Sequence, residues 1–162
     1  MEKPKILTST AKIRFQDCDP FNHLNNGRYI DYFINQREDQ VLSAYGIDLF
    51  KMIREDQIGW VVSSSQLAYL LPVFTMEEIA FESQTIEFSK KHLKVEMRMF
   101  NKDKTKLKSF AWMTFIHIDL KTNTTTQHSN QLMNLFSDIA LPVHESHFDE
   151  REMNLRKLIK NV

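Results

Sequence analysis

Cysteine, glycine and proline are all scarce in this chain of 162 residues, which contains one cysteine, three glycines and four prolines. A single cysteine cannot form an intramolecular disulfide or a cysteine-based zinc site, and it is typical of a reducing compartment. We therefore expect a cytoplasmic protein that folds on its apolar core alone. At this length the chain is most simply one domain, residues 1–162.

Long apolar runs and an excess of charge are missing as well. No segment approaches the roughly 20 apolar residues needed to cross a bilayer, and the first ten residues lack the apolar core of a signal peptide. Lys plus Arg equals Asp plus Glu at 21 each. Such a chain has no global field that attracts nucleic acid or an anionic membrane, so we expect neither as a partner. Small molecules or other protein chains are the expected partners.

The first third of the chain predicts a strand, a polar turn and a long helix. Apolar and polar residues alternate from Ser9 to Asp17, which predicts a half-buried strand. The helix is expected to begin at about Asn26, after an Asn25 N-cap, and to end at Gly46. Its first half is apolar on more than one face, so we expect it to be surrounded rather than laid on a surface. A second short helix is expected over residues 48–55.

The remainder of the chain predicts mainly strands. Two weaker helical patterns, residues 130–136 and 148–158, follow the last of them. Short connections between the strands favour antiparallel neighbours and predict a meander. We therefore predict an α+β domain in which a curved antiparallel sheet wraps around one long helix. The four strand-like segments are Ile58–Leu71, Glu78–Phe88, Leu93–Asn101 and Leu107–Leu120.

The polar turn carries an arrangement of residues that resembles a known family. Its pattern matches D-x-D-x-x-x-H-x-N-N-x-x-Y, the signature of hotdog-fold acyl-CoA thioesterases of the 4-hydroxybenzoyl-CoA thioesterase type. The next strand ends in a segment similar to the Y-L-x-P element of that family. The resemblance covers roughly residues 8–120 and implies the hotdog fold. The residues that carry it are Asp17, Asp19, His23, Asn25, Asn26, Tyr29, Tyr69, Leu70 and Pro72.

Two positions depart from the family pattern. Ile34 stands where many relatives carry Glu, and Met76-Glu77 stands where Gly-Asp is usual. Neither departure touches the residues expected to do chemistry. They bear on acyl preference and on helix packing.

The resemblance implies catalytic roles for two residues of the turn. Thioester hydrolysis needs a carboxylate or other base near the scissile carbon, and donors aimed at the oxygen that becomes negative. Asp19 matches the catalytic carboxylate, as nucleophile or as base for water, although an aspartate here can also simply cap the turn. The backbone N–H of Asn26 matches the oxyanion donor, which agrees with the positive end of a helix. Gly27 has no side chain to obstruct approach.

The other polar residues of the turn have supporting roles in this interpretation. Asp17 is expected to order the turn, because two close carboxylates cannot both stay ionised without offsetting donors. Asn25 caps the helix. His23 can position water, bind Asp19, or pack and hydrogen-bond within the turn, and we favour the last. Cys18 lies between two carboxylates that disfavour its thiolate, so we expect it to pack rather than react.

Substrate binding beyond the turn rests on two further sets of residues. In the family, polar residues of the second strand reach the site of the partner subunit, although a polar strand face is the ordinary alternative. Those residues here are Ser63, Ser64 and Ser65. The phosphates of coenzyme A could meet basic residues near the hairpins, namely Lys90, Lys91, Arg98, Lys102 and Lys104. Histidines 144 and 147 lack metalloprotease spacing, so we expect no metal and no cofactor.

We therefore interpret the sequence as an acyl-CoA thioesterase that forms a homodimer or homotetramer with sites between subunits. One alternative is a non-catalytic hotdog module that binds an acyl thioester. Another is a thioesterase for acyl carrier protein, since the carbonyl chemistry is identical. A hotdog hydratase or dehydratase is disfavoured, because Pro20 is misplaced for the D-x-N-P-x-H-like turn of those enzymes.

Overall fold

The computed structural model describes residues 2–160, so both ends of the predicted domain, residue 1 and residues 161–162, lie outside it. Six strands and four α-helices make up most of the described chain. The strands are β1 (Leu7–Lys12), β2 (Ile58–Tyr69), β3 (Glu78–Phe88), β4 (His92–Asn101), β5 (Leu107–Asp119) and β6 (Thr124–Thr125). The helices are α1 (Tyr29–Tyr45), α2 (Leu49–Lys51), which continues as a π turn (Met52–Asp56), α3 (Asn130–Ile139) and α4 (Phe148–Lys160).

The strands form one antiparallel sheet in the order β1-β3-β4-β5-β2, with β6 paired to β5. The predicted meander is right for β3, β4 and β5 but wrong for β2, which pairs with β5 rather than with β3. The reason is the connection of residues 70–77, which is longer than a hairpin turn and carries the chain to the other side of the sheet. Strands β1 and β2 are consequently the two edges.

Helix α1 lies on the concave face of the sheet, as predicted. Tyr29 and Phe33 are buried there, and the Phe33 ring packs edge-to-face on Phe81 at 6.2 Å. The helix ends at Gly46, whose φ of 70° is the left-handed conformation that favours glycine. The expectation that the first half of α1 is surrounded on all sides is wrong for a single copy of the chain. Asp31 and Asn35 are exposed, because a single sheet covers only one side of the helix.

The two tail helices cover other parts of the sheet. Helix α4 packs on the convex face, where the Phe148 ring stacks on Phe110 at 4.8 Å. Helix α3 packs at one end of the concave face, where Phe136 and Ile139 join a buried cluster with Leu93. Both sheet faces are therefore covered by segments of the same chain.

The first strand and the long helix differ at their boundaries from the predictions. Strand β1 ends at Lys12, and a 3-10 turn (Phe15–Asp17) takes the place of its predicted last residues. A second 3-10 turn (Asn26–Arg28) begins at the predicted helix start and runs directly into α1. These two turns enclose the polar segment that carries the family signature.

Candidate active site

The polar turn is closed by its own backbone. The N–H of Asp19 donates to the carbonyl of His23 at 2.8 Å, and the N–H of Asn25 donates to the carbonyl of Asp17 at 2.9 Å. Asn22 takes a left-handed conformation with φ of 67°, which asparagine tolerates better than most residues. The turn is thus a tight loop rather than a flexible connection.

The segment that follows β2 holds this loop against the end of the sheet. The N–H of Leu24 donates to the carbonyl of Val73 at 2.7 Å, and the N–H of Thr75 donates to the carbonyl of Asn22 at 3.0 Å. Met76 stands at a φ of 63°, a left-handed conformation that explains why glycine is usual at this position of the family pattern. The turn therefore owes its position to residues far away in sequence, since Val73 follows Leu24 by 49 positions.

Asp19 is half-buried and uses one carboxylate oxygen to hold the turn. Its Oδ1 accepts from the backbone N–H of Phe21 at 2.9 Å and from that of His23 at 3.2 Å. Its Oδ2 accepts no hydrogen bond from the described residues. The side chain therefore caps the turn with one oxygen and keeps the other available for a ligand or for water.

The start of the helical segment leaves one backbone donor unused. The side-chain oxygen of Asn25 accepts from the N–H of Gly27 at 2.9 Å, and the carbonyl of Asn25 accepts from the N–H of Arg28 at 2.8 Å. The N–H of Asn26 has no acceptor in the part of the chain that the structure describes. An unpaired N–H at the positive end of a helix is suited to an oxyanion.

Tyr69 fixes the peptide group that follows this donor, between Asn26 and Gly27. The sequence interpretation assigned Tyr69 no role. Its hydroxyl donates to the carbonyl of Asn26 at 2.8 Å, and its ring packs edge-to-face on Tyr29 at 4.9 Å. Burial, opposed by a backbone hydrogen bond and aided by nearby negative groups that include Asp19, raises the pKa of Tyr29 to about 12. The Y-L-x-P element was the sequence signal that pointed to Tyr69.

Asp17 is tied to the helix rather than free in the site. Its Oδ2 accepts from the hydroxyl of Tyr32 at 2.7 Å, and that hydroxyl in turn accepts from the N–H of Arg14 at 2.9 Å. Burial and the Asp17 carboxylate raise the pKa of Tyr32 to about 12, so the phenol remains a donor across the physiological range. This geometry suits the expected role of Asp17 in ordering the turn.

The remaining turn residues pack locally. The imidazole of His23 lies edge-on to the Phe74 ring at 5.1 Å, and no described residue forms a hydrogen bond with its ring nitrogens. The thiol of Cys18 donates weakly to the carbonyl of Arg14 at 3.4 Å and packs against the main core. Both placements agree with packing roles.

The structure does not bring the three serines of β2 to the turn of the same chain. Ser65 precedes Tyr69 by four residues, which corresponds to roughly 13 Å of strand. All three serines are exposed, and Ser63 sits at a bulge where its hydroxyl donates to the carbonyl of Thr114 at 3.2 Å. A second copy of the chain would be needed to bring them to an active site.

The basic residues near the hairpins differ in availability. Arg98 is not available to phosphate, because it is buried on the convex face in ion pairs with Glu82 and Glu96. This corrects the sequence expectation, which did not foresee that α4 covers this face. Lys102 pairs with Glu78 at 2.7 Å near the start of β3, whereas Lys90 and Lys91 lie beyond the far end of that strand.

Two properties of residues 2–160 bear on function more broadly. None of the helices described there is long and apolar enough to cross a membrane. Nor do three or more His, Cys, Asp or Glu side chains gather within that range in a way that could hold a metal ion.

Comparison with known proteins gives a family-level match. The model of the thioesterase-like superfamily matches residues 13–143, a span that begins after β1, includes the whole turn and strands β2 to β6, and ends before α4. The long-chain acyl-CoA thioesterase FadM of Escherichia coli is 25% identical over 116 residues, which cover 72% of this chain and 86% of FadM.

Solved structures share the fold at lower sequence identity. The probable thioesterase YbaW from Escherichia coli has a TM-score of 0.70 and 21% identity, with 83% of this chain and 99% of that chain covered. A 1,4-dihydroxy-2-naphthoyl-CoA thioesterase from Synechocystis has a TM-score of 0.74 and 12% identity, with 85% and 99% covered. A Staphylococcus aureus protein in complex with CoA has a TM-score of 0.75 and 15% identity, with 90% and 92% covered. These likenesses confirm the predicted hotdog fold.

Proposed function

The chain belongs to the thioesterase-like superfamily and is a thioester hydrolase, and from this premise we propose that it hydrolyses an acyl-CoA thioester to free acid and CoA at the polar turn. The relative FadM acts on long-chain acyl-CoA by its name, and one structural neighbour was solved with CoA. Both support coenzyme A as the thiol part of the substrate.

The unpaired N–H of Asn26 is the observation that carries this proposal. It lies at the start of a helical segment, and Tyr69 holds the adjacent peptide group through the carbonyl of Asn26. A donor fixed before the substrate arrives needs no reorganisation when the carbonyl oxygen becomes negative. The Asn26 amide would therefore polarise the thioester carbonyl and stabilise the tetrahedral oxyanion.

Asp19 supplies the second half of the reaction in this proposal. As a base, its free Oδ2 takes a proton from water while the water oxygen adds to the carbonyl carbon. As a nucleophile, the same oxygen adds to that carbon and forms an anhydride, which water then hydrolyses. In either route the C–S bond breaks, CoA leaves as a thiolate that takes up a proton, and the acid is released.

The other predicted residues hold this geometry. Asp17 anchors the turn to α1 through Tyr32, and Asn25 caps the helix at Gly27. His23 contributes its backbone N–H to Asp19 and its ring to packing against Phe74.

A homodimer or homotetramer with sites between subunits belongs to the same proposal. Strand β2 is an edge strand whose outer backbone groups can pair with another chain. Val61 and Val62 on this strand are 44% and 43% exposed, one on each face of the sheet. Pairing of two such edges would cover these residues and would offer Ser63, Ser64 and Ser65 to the partner.

The test is thiol release from acyl-CoA substrates of short, long and aromatic type by wild type and Asp19→Asn. The asparagine retains one oxygen that can accept from the turn amides, so the fold is kept while the charge is lost. We expect a loss of about 10²- to 10⁴-fold in kcat. The matched control is Asp31→Asn, which removes an exposed carboxylate at the start of α1 whose ion-pair partner among residues 2–160 is Arg28.

Three outcomes decide between the proposals. Equal rates for wild type and Asp19→Asn would refute the role of Asp19. Stoichiometric binding of every substrate without thiol release would select the non-catalytic module, and release only from acyl carrier protein would select that thioester. The same samples are to be examined by sedimentation, because a monomer at micromolar concentration contradicts sites shared between subunits.

A further inference from the structure

Helix α1 and strand β2 mark a path from the candidate site to two cavities farther along the helix. At its start, Tyr69 on β2 contacts Asn26 and Tyr29 at the beginning of the helix. Further along, Ile34 of α1 and Val62 of β2 line the same cavity. The helix and the strand run in opposite directions, so each step away from the site raises the residue number on α1 and lowers it on β2.

Two adjoining cavities with mostly apolar walls lie at the far end of this path. The nearer has a volume of about 170 Å³ and the farther about 80 Å³. Helix α3 closes the far end with Phe136 and Ile139. For scale, a cavity of about 150 Å³ in another protein admits benzene, so this space can hold part of an alkyl chain. Residues common to both cavities are Arg37, Leu49, Trp60 and Phe115.

Arg37 places a cation at the wall that the two cavities share. Its guanidinium donates to the hydroxyls of Ser83 at 2.9 Å and Thr85 at 3.3 Å, which occupies two of its five N–H donors. No carboxylate of the described residues forms an ion pair with it, including Glu38, which lines the nearer cavity. Burial lowers the pKa of Arg37 to about 10, so the group is still protonated at neutral pH.

A second layer of hydrogen bonds holds the guanidinium in position. The Ser83 hydroxyl donates to the side-chain oxygen of Gln40, which leaves the Ser83 oxygen free to accept from Arg37. The amide of Gln40 donates to the hydroxyl of Ser9 at 2.7 Å. Because these partners are neutral, they fix Arg37 without neutralising it.

The spacing between Asn26 and Arg37 sets the length of a ligand that could reach both. The 3-10 turn and the following part of α1 together advance by roughly 17 Å over this interval. An extended chain advances about 1.2 Å per bond, which corresponds to about a dozen bonds or slightly more. An acyl group of that length would place its last atoms at the guanidinium.

We infer that Arg37 binds an anionic group at the far end of the acyl chain, so that the preferred substrates are CoA monothioesters of dicarboxylic acids of about a dozen carbons. This inference rests on the proposed function. A carboxylate matches the planar fork of arginine and neutralises its charge, whereas a methyl-terminated chain leaves the cation in a mostly apolar cavity without a counter-ion. Both the shape of the guanidinium and its charge therefore favour an acyl chain that ends in a carboxylate over one that ends in a methyl group.

The experiment compares dodecanoyl-CoA with the mono-CoA thioester of dodecanedioic acid. For Arg37→Met we expect a loss of about 10- to 100-fold in kcat/KM on the ω-carboxyl substrate and none on the methyl-terminated one. Arg54→Met is the matched control, since it removes an exposed arginine that lines neither cavity. Arg37→Lys keeps the charge without the fork and is expected to fall in between.

Calorimetric binding of dodecanedioic acid, compared with its uncharged dimethyl ester, separates the anion site at Arg37 from the proposed function. If no thioester is hydrolysed but dodecanedioic acid alone binds in an Arg37-dependent way, the anion site stands, whereas the proposed function and the substrate preference fail. If both thioesters are hydrolysed with a ratio that Arg37→Met leaves unchanged, the proposed function stands and the inference is overturned. A carboxylate from a partner subunit on Arg37 would give the second result.

Discussion

Replacement of Arg151 by methionine tests what holds the C-terminal helix to the sheet. Glu96 lies fully buried at the centre of β4, where it accepts two hydrogen bonds from Arg151 at 2.8 and 2.7 Å. Arg98 and the indole N–H of Trp112 supply its remaining partners. The pair therefore joins α4, which lies beyond the family match, to the convex face of the sheet.

The expected loss follows from the burial of Glu96. Breaking a buried ion pair costs about 3–5 kcal/mol, because one charge stays behind without its partner. Glu96 keeps Arg98 and Trp112 in the variant, so we expect a value near the lower limit, about 3 kcal/mol in the free energy of unfolding. That is a large share of the roughly 5–15 kcal/mol by which native domains are stable.

Arg156→Met is the matched control on the same helix. Arg156 pairs with Glu152 at 2.7 Å and donates to the carbonyl of Tyr69, but its side chain is 43% exposed. Exposed pairs contribute about 0–1 kcal/mol, so we expect a loss below about 1 kcal/mol. The two replacements share the same change in residue type and in net charge.

Urea unfolding followed by circular dichroism gives both free energies. Equal losses for Arg151→Met and Arg156→Met would refute the assignment of the buried pair. If Arg151→Met does not fold, the Glu96→Gln, Arg151→Met double variant decides. It is expected to recover part of the loss, because the uncompensated charge is gone.

The remaining predictions concern pH and backbone strain. Burial lowers the pKa of both His117 and His128, so the unfolded chain, with values near 6.5, takes up protons at a higher pH than the folded protein. The free energy of unfolding is therefore expected to fall by up to about 1.4 kcal/mol per histidine for each pH unit below 6.5. Urea unfolding midpoints that stay constant from pH 7 to pH 5.5 would contradict this expectation. Met76→Gly removes a methionine in the left-handed conformation and is expected to stabilise the protein by up to about 1 kcal/mol. Gly46→Ala, at a φ of 70°, is expected to destabilise it by a similar amount. Thermal unfolding measures both changes, and opposite signs would show that φ does not control stability at these positions.

Sequence analysis could predict those features that depend on neighbouring residues. The alternation of the strands, the N-cap at Asn25 and the helix end at Gly46 each follow from side chains a few positions apart. The α+β class with a sheet over one long helix was predicted for a similar reason, since a strand, one long helix and further strands leave few ways to bury the apolar faces. The hotdog fold was implied by the resemblance of the polar turn, and both predictions were confirmed. The polar turn, which carries the proposed chemistry, was also recognisable because its residues are contiguous.

The tertiary structure alone decided which distant residues meet. It placed β2 beside β5, buried Arg98 beneath α4, set the Tyr69 hydroxyl on the Asn26 carbonyl, and enclosed Arg37 between α1 and the sheet. No local pattern encodes these contacts, because each depends on the register and curvature of the whole sheet. An exposed and a buried arginine look alike in a sequence, yet only burial without a carboxylate makes Arg37 a candidate to bind an anion.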